Sequence, residues 1–221
     1  MAIVTHPPKQ KRTREALERI LRSGSQILAT SGWDGFTIAA VAERADVGSS
    51  AIYRRFKDKD ALLLALHRRF EDDFLASWRP AYRALARADL ELEPLVRGFI
   101  EEMAAAFQHH QKLLRVFVIR AAVDPRIADA GDRSVAAMAL EFEDSLLAHR
   151  DQFACANPEL AVGVCFQSAL DSFLRLVLFG RQAHPELGWD RLTDELSAMS
   201  LAYLLTERPR PSFVRLPPRP R

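Results

Sequence analysis

The sequence predicts an all-α protein in two parts: an N-terminal three-helix unit built around a helix-turn-helix, and a larger C-terminal helical bundle. Three observations carry that reading. Only nine glycines stand among abundant Ala, Leu and Arg, residues that favour helix. Apolar residues recur at three- and four-residue spacing along most of the chain. The breaks between these runs carry cap chemistry, with Thr37, Asp58, Asp124-Pro125 and Asn157-Pro158 each standing directly before a periodic stretch.

Residues 1–12 read as a disordered basic arm ending in Lys9, Lys11 and Arg12, suited either to a DNA minor groove or to plain solvation. An amphipathic helix follows over 13–30, with Ile20, Leu21, Ile27 and Leu28 on its apolar side and Gly24 weakening it locally. Residues 31–35 form a turn, and Trp33 within it or Phe36 just after it closes the small three-helix core. Ile38, Val41 and Ala42 then mark a short helix capped by Thr37. Ala45-Asp46-Val47-Gly48 is a break, because Asp46 and Gly48 favour turn conformations. A second short helix spans 49–57. Ile52 and Phe56 share its inner face, while Ser49, Ser50, Tyr53, Arg54 and Lys57 share the outer one. Two short helices joined by a tight turn, the second polar and basic outside, form the arrangement that lays a recognition helix in the major groove.

Asp58 caps a fourth helix expected to run from Lys59 to about Arg79 and to stop near Pro80, with Leu62, Leu66, Phe70 and Phe74 as its core stripe. Pro94 marks another helix start, followed by Leu95, Phe99, Met103 and Phe107; a separate run covers 112–123. Asp124-Pro125 opens a helix to about 149, Asn157-Pro158 opens one over 159–181, and the last spans about 190–206. The helix near 160–180 is apolar nearly all round, so more than one of its sides must be covered; Asp171 and Arg175 make it a poor membrane span. The division is therefore 1–12 (arm), 13–58 (helix-turn-helix domain), 59–207 (helical bundle, to which the resemblance described below assigns ligand binding and dimerisation) and 208–221, an Arg/Pro tail too proline-rich for helix.

Charge follows the same division. Residues 1–60 hold 11 Lys and Arg against 7 Asp and Glu, and residues 61–207 hold 15 against 22, so a basic head sits on an acidic body within a net +2. That asymmetry suits a chain offering one end to a polyanion. Cys155 and Cys165 lack metal-ligand spacing and read as a buried reduced pair in a cytoplasmic protein without a signal peptide. His109-His110 also lack a partner at metal spacing and suit a helix C-terminus. An enzyme on such a bundle needs a nucleophile–base pair, Glu-x-x-His ligands or a phosphate loop; the sequence has none of these, and no cofactor or metal is expected.

Thr37, Val41, Ala42, Ala45, Val47, Ile52, Tyr53, Phe56, Lys59 and Leu62 fall at fixed spacing, and in this the stretch resembles the DNA-binding segment of the TetR family of bacterial transcriptional regulators. Two positions depart from its pattern: Asp46 replaces the usual turn Gly, and Gly48 the usual capping Ser. The resemblance implies phosphate contacts by Thr37, Tyr53, Arg55 and Lys59. Gly48 stands at the cap, and Ser49, Ser50, Arg54 and Lys57 lie on the outer face, with Arg54 suited to a guanine edge. Arg54 and Arg55 also admit exchanged roles, Arg54 taking a phosphate and Arg55 pairing with Glu43 or Asp46. It further implies a homodimer on a near-palindromic double-stranded DNA operator, most simply a repressor released by a small apolar or amphipathic effector. The alternative is a constitutive or architectural DNA binder with no ligand response. Phe74, Trp78, Phe99, Met103, Phe107, Phe117 and Phe142 are the candidates to line an effector pocket, or plain core. Val164, Ala169, Phe173, Leu196, Met199 and Tyr203 are the candidates for a four-helix dimer interface. No membrane partner is expected.

Overall fold

The computed structural model describes residues 9–180 and 185–207. Among them the chain forms eight α-helices and one 3-10 turn: α1 Lys9–Gly35, α2 Ile38–Arg44, α3 Ser49–Tyr53, α4 Lys59–Arg87, α5 Leu92–Ala121, α6 Pro125–Leu147, the turn Arg150–Gln152, α7 Pro158–Phe179 and α8 Trp189–Leu205. The four caps expected from sequence form as read, Thr37 within the helix-turn-helix and three in the body helices. Asp58 Oδ1 accepts from Ala61 N at 2.8 Å, Asp124 Oδ1 from Arg126 N at 3.0 Å, and Asn157 Oδ1 from Leu160 N at 3.1 Å.

Several boundaries move, each for a packing reason. α1 begins at Lys9, four residues inside the expected arm, while the rest of that arm and the Arg/Pro tail lie outside the described residues. It leaves helical conformation at Gly32, whose φ is 63°, close to the expected turn. α4 does not stop at Pro80 but continues to Arg87. A mid-helix proline forfeits one backbone hydrogen bond and costs roughly 3 kcal/mol. Trp78 and Tyr82, on either side of it, are both 0% exposed, and the Tyr82 hydroxyl donates to Phe99 O at 3.1 Å. Burying two large aromatics recovers about that much or more. Residues 92–121 form one helix rather than two, beginning at Leu92 with Pro94 in its first turn. His109 and His110 therefore lie in mid-helix, not at a C-terminus.

α5 is the axis of the body. It packs against α4, α6, α7 and α8, and its C-terminal half also lies against α1. Ten of its residues are buried, including Phe99, Met103, Phe107 and Phe117. α4 enters the body from the helix-turn-helix and packs on α5 and α6, so one continuous helix belongs to both halves. Gly24 is a close-approach position as well as a weak helix former. A Cβ built there falls 2.8 Å from Leu66 Cδ1, which is how α1 and α4 come together. α7 is by length and composition apolar enough to cross a membrane, but eight of its residues are buried, and it packs on α5, α6 and α8. Of the two cysteines only Cys165 is fully buried; Cys155 is half-buried.

Candidate nucleic-acid interface

The helix-turn-helix is assembled by local hydrogen bonds. Thr37 Oγ1 accepts from Ala40 N at 3.1 Å and opens α2. At its other end Asp46 N donates to Glu43 O at 3.1 Å and Val47 N to Ala42 O at 3.0 Å, the two bonds of a Schellman stop. That stop needs a left-handed residue, and Asp46 supplies it with φ 51°. Asp tolerates this region better than most non-glycine residues, which explains how it stands in a turn that otherwise calls for Gly. Gly48 follows as the N-cap of α3 without a side-chain bond, its carbonyl accepting from Ala51 N at 2.8 Å.

α3 is shorter than the nine residues expected, ending at Tyr53 with Arg54 as its C-cap. Its faces divide as read from sequence: Ile52 is 0% exposed, Phe56 is half-buried, and Ser49, Ser50, Tyr53, Arg54 and Lys57 face solvent, as do Thr37 and Gly48. Three arginines fix this unit to α1. Arg19 Nε donates to Ala45 O at 3.1 Å and Arg44 Nε to Gln26 Oε1 at 2.9 Å. Arg55 spans from Ala51 O, at 2.9 Å, to Thr13 O, at 3.1 Å. Arg55 thus takes a structural role, with backbone carbonyls as partners instead of Glu43 or Asp46. Arg19 and Arg44 were not distinguishable in the sequence from other surface cations, because their partners are backbone or amide oxygens on a distant helix.

Lys59 also turns inward. Its Nζ donates to Trp33 O at 3.2 Å and sits 3.6 Å from the centroid of the Trp33 ring. Burial, partly opposed by Asp60 and reinforced by Arg120, holds its ammonium pKa below the usual lysine value. The Arg120 guanidinium, from the end of α5, approaches the same ring at 4.2 Å. Trp33 is therefore held by cations from the helix-turn-helix side and the body together, a junction that sequence reasoning missed. In this structure Lys59 forms part of that junction.

The residues expected to line an effector pocket are all buried and pack on one another. Phe99 meets Phe142 at 5.5 Å and Tyr82 at 4.6 Å between centroids, and Phe74 meets Phe107 at 5.7 Å. At the margin of this aromatic core Trp78 Nε1, His110 Nε2 and Glu141 Oε2 are buried atoms without a hydrogen-bond partner, although His110 and Glu141 are half-buried as residues and Glu141 Oε1 accepts from Arg79 Nε at 2.7 Å. Burial and the neighbouring His109 hold the His110 pKa below the ordinary histidine value. Among the described residues no group of three His, Cys, Asp or Glu is placed to hold a metal ion.

Of the six expected dimer-interface residues, Ala169, Phe173 and Leu196 face the chain's own core, at 0%, 0% and 5% exposure. The correction is one of helix phase. α7 buries Val162, Phe166, Ala169 and Phe173 inward, which leaves Leu160 and Val164 outside; α8 leaves Met199 and Leu205 outside, with Tyr203 half-buried beside them. Ala154 N donates to Leu204 O at 3.0 Å, bringing the start of α7 beside the end of α8. These exposed apolar side chains thus gather at one end of the α7–α8 pair.

A helix-turn-helix with an outward polar and basic second helix, mounted on an all-helical body, defines a DNA-binding transcriptional regulator. A model for bacterial regulatory proteins of the tetR family matches residues 20–66, and one for the tetracyclin repressor-like C-terminal domain matches residues 91–204. The second alone spans more than half of the chain, which belongs to the TetR family of bacterial regulators. As such it is a regulator and not an enzyme. Solved structures share the fold. A candidate TetR-family transcriptional regulator from Mesorhizobium loti MAFF303099 is similar with a TM-score of 0.69 and 17% identity, over 87% of this chain and 96% of that one. A transcriptional regulator from Rhodococcus sp. Rha1 gives 0.64 and 16%, over 86% and 98%. Salmonella enterica GusR gives 0.60 and 17%, over 92% and 99%. At such identities the likeness concerns the fold alone. No curated protein matches the chain.

Proposed function

We propose that the protein is a repressor that binds a near-palindromic operator as a homodimer and is released by a small apolar or amphipathic effector. The observation that carries DNA recognition is the outer face of α3. Ser49, Ser50, Tyr53, Arg54 and Lys57 face solvent while Ile52 anchors the helix, and Arg55 holds it to α1. Arg54 is the residue assigned to a base edge, as a bidentate donor to guanine O6 and N7. Thr37, Tyr53 and Lys57 are assigned to phosphates, which set register without reading sequence. Lys59 supports the site from behind.

Dimerisation through α7 and α8 is supported by the exposed patch of Leu160, Val164, Met199 and Leu205, which a four-helix contact between two copies would bury. A two-fold dimer presents two α3 helices about one DNA turn apart, ~34–36 Å, and so reads a palindrome. The effector reading is supported by the buried polar atoms Trp78 Nε1 and His110 Nε2 beside the aromatic core, which lack hydrogen-bond partners and would be met by a ligand's polar group. Such a ligand lowers DNA affinity only if it prefers the body shape in which the two heads are wrongly spaced. A DNA-bound regulator of this kind works in the cytoplasm and needs no membrane partner.

Selection of sites from random duplex DNA by the purified protein, at near-physiological salt, tests the reading. Enrichment of a palindrome with half-sites about one turn apart is the expected result. Salt-sensitive binding with no enriched sequence would instead make the protein a non-specific DNA binder.

A further inference from the structure

The junction between the helix-turn-helix and the body contains an open cleft of about 410 Å³ between the end of α1 and the second half of α5. Its apolar walls are Leu28 and Trp33 on one side and Val116 and Ile119 on the other, and Ile119 is 54% exposed although it is a large aliphatic residue. Lys112, Arg115 and Arg120 also line it, and no carboxylate does. Among the described residues none of these three cations forms an ion pair. Arg120 is the unusual one: its Nε is buried with no hydrogen-bond partner while its guanidinium lies over Trp33. A buried guanidinium N–H without an acceptor is expensive, and an anionic oxygen is what would satisfy it.

We propose that this cleft binds a small amphipathic organic anion, its acidic group taken by Arg120 and Arg115 and its apolar body laid against Trp33, Val116 and Ile119. The separation of a cationic rim from an apolar wall selects carboxylates or sulfonates carrying a hydrophobic group over either inorganic anions or neutral hydrocarbons. The site is distinct from the aromatic core of the bundle, because its walls come from α1 and α5. Its occupant touches the DNA-binding unit and the body at once. The proposal stands independently of operator recognition: either can fail with the other intact.

The test uses the full-length protein labelled at its three indole nitrogens, Trp33, Trp78 and Trp189, titrated with 4-phenylbutyrate and with the uncharged 4-phenyl-1-butanol while the indole resonances are followed by NMR. The expected result is a saturable shift of the Trp33 signal with the carboxylate, binding of the alcohol weaker by about tenfold or more, and no comparable shift of Trp78 or Trp189. Arg120→Met should abolish the carboxylate's advantage. Ile119→Glu, at an exposed position that leaves the fold undisturbed, should abolish its binding. Equal affinity for the two probes, shifts at Trp78 or Trp189 instead of Trp33, no saturable shift at all, or unaltered binding by Ile119→Glu would each overturn the proposal. So would loss of DNA salt dependence in Arg115→Gln without any carboxylate binding by the parent, which would assign these cations to DNA phosphate.

Discussion

Lys57 and Lys59 lie two positions apart and carry the same charge, yet the fold gives them different work. Lys57 faces solvent beside the outer face of α3, whereas Lys59 is bound to the Trp33 carbonyl and ring. Lys57→Ala should weaken binding to all duplexes alike and reduce the slope of log affinity against log salt by about 0.9, one phosphate's share. Lys59→Ala should leave that slope unchanged and lower unfolding stability by roughly 1–2 kcal/mol, measured by denaturant titration. The sequence places the two on different helices but does not show the inward turn of Lys59, because a partner at Trp33 is set by tertiary packing and leaves no periodic trace. The turn, by contrast, was legible: Asp46 favours turns, and it adopts φ 51°. Asp46→Gly should preserve or slightly raise the melting temperature, whereas Asp46→Val, β-branched in a left-handed position, should cost about 1–2 kcal/mol.

Helix α4 shows how packing overrides a local stop signal. Pro80 argued for an end, and the chain continues because Trp78 and Tyr82 bury completely against the body. Trp78→Ala should therefore destabilise by about 3–5 kcal/mol, the range for emptying a large aromatic site. Caps were read correctly where a single side chain bonds its own first turn, as at Asp58, Asp124 and Asn157. The exact ends of α3 and α5 were not, since nothing local distinguishes a helix that continues from one that restarts in phase. At the α5–α6 corner Asp124 pairs with Arg126, Arg126 Nη2 lying 2.8 Å from its Oδ2, and this hydrogen bond holds the carboxyl below its ordinary 3.8. A depressed carboxylate stabilises the fold fully above that ordinary value and loses its contribution as pH falls through the folded one. Asp124→Asn, which keeps the cap but not the charge, should thus be less stable than the parent near neutral pH. The gap should close progressively as pH falls below that ordinary value, followed by urea denaturation from neutral into acid pH.

For the molecule as a whole, the exposed polar face of α3 was legible because polar and basic residues oppose Ile52 and Phe56 on a short helix, a pattern with few other uses. The phase of α7 and α8 was not: α7 is apolar on nearly every side, so hydropathy could not tell which residues point inward, and three of the six expected at an interface do. Leu160→Asp with Met199→Asp, both exposed in the single chain, should leave the protomer folded and make it sediment as a monomer with much reduced operator affinity. The head–body junction was equally invisible, since Trp33, Lys59 and Arg120 meet only in the folded chain. Base reading is assigned above to Arg54 on the outer face of α3. Its most direct test is the equilibrium affinity of the parent and of Arg54→Ala for the selected operator and for each of its single-base-pair variants. The parent should lose about 1–3 kcal/mol at one base pair in each half-site, symmetrically placed, and Arg54→Ala should bind all variants of that pair alike. Superimposable profiles for the two proteins at every position would contradict it.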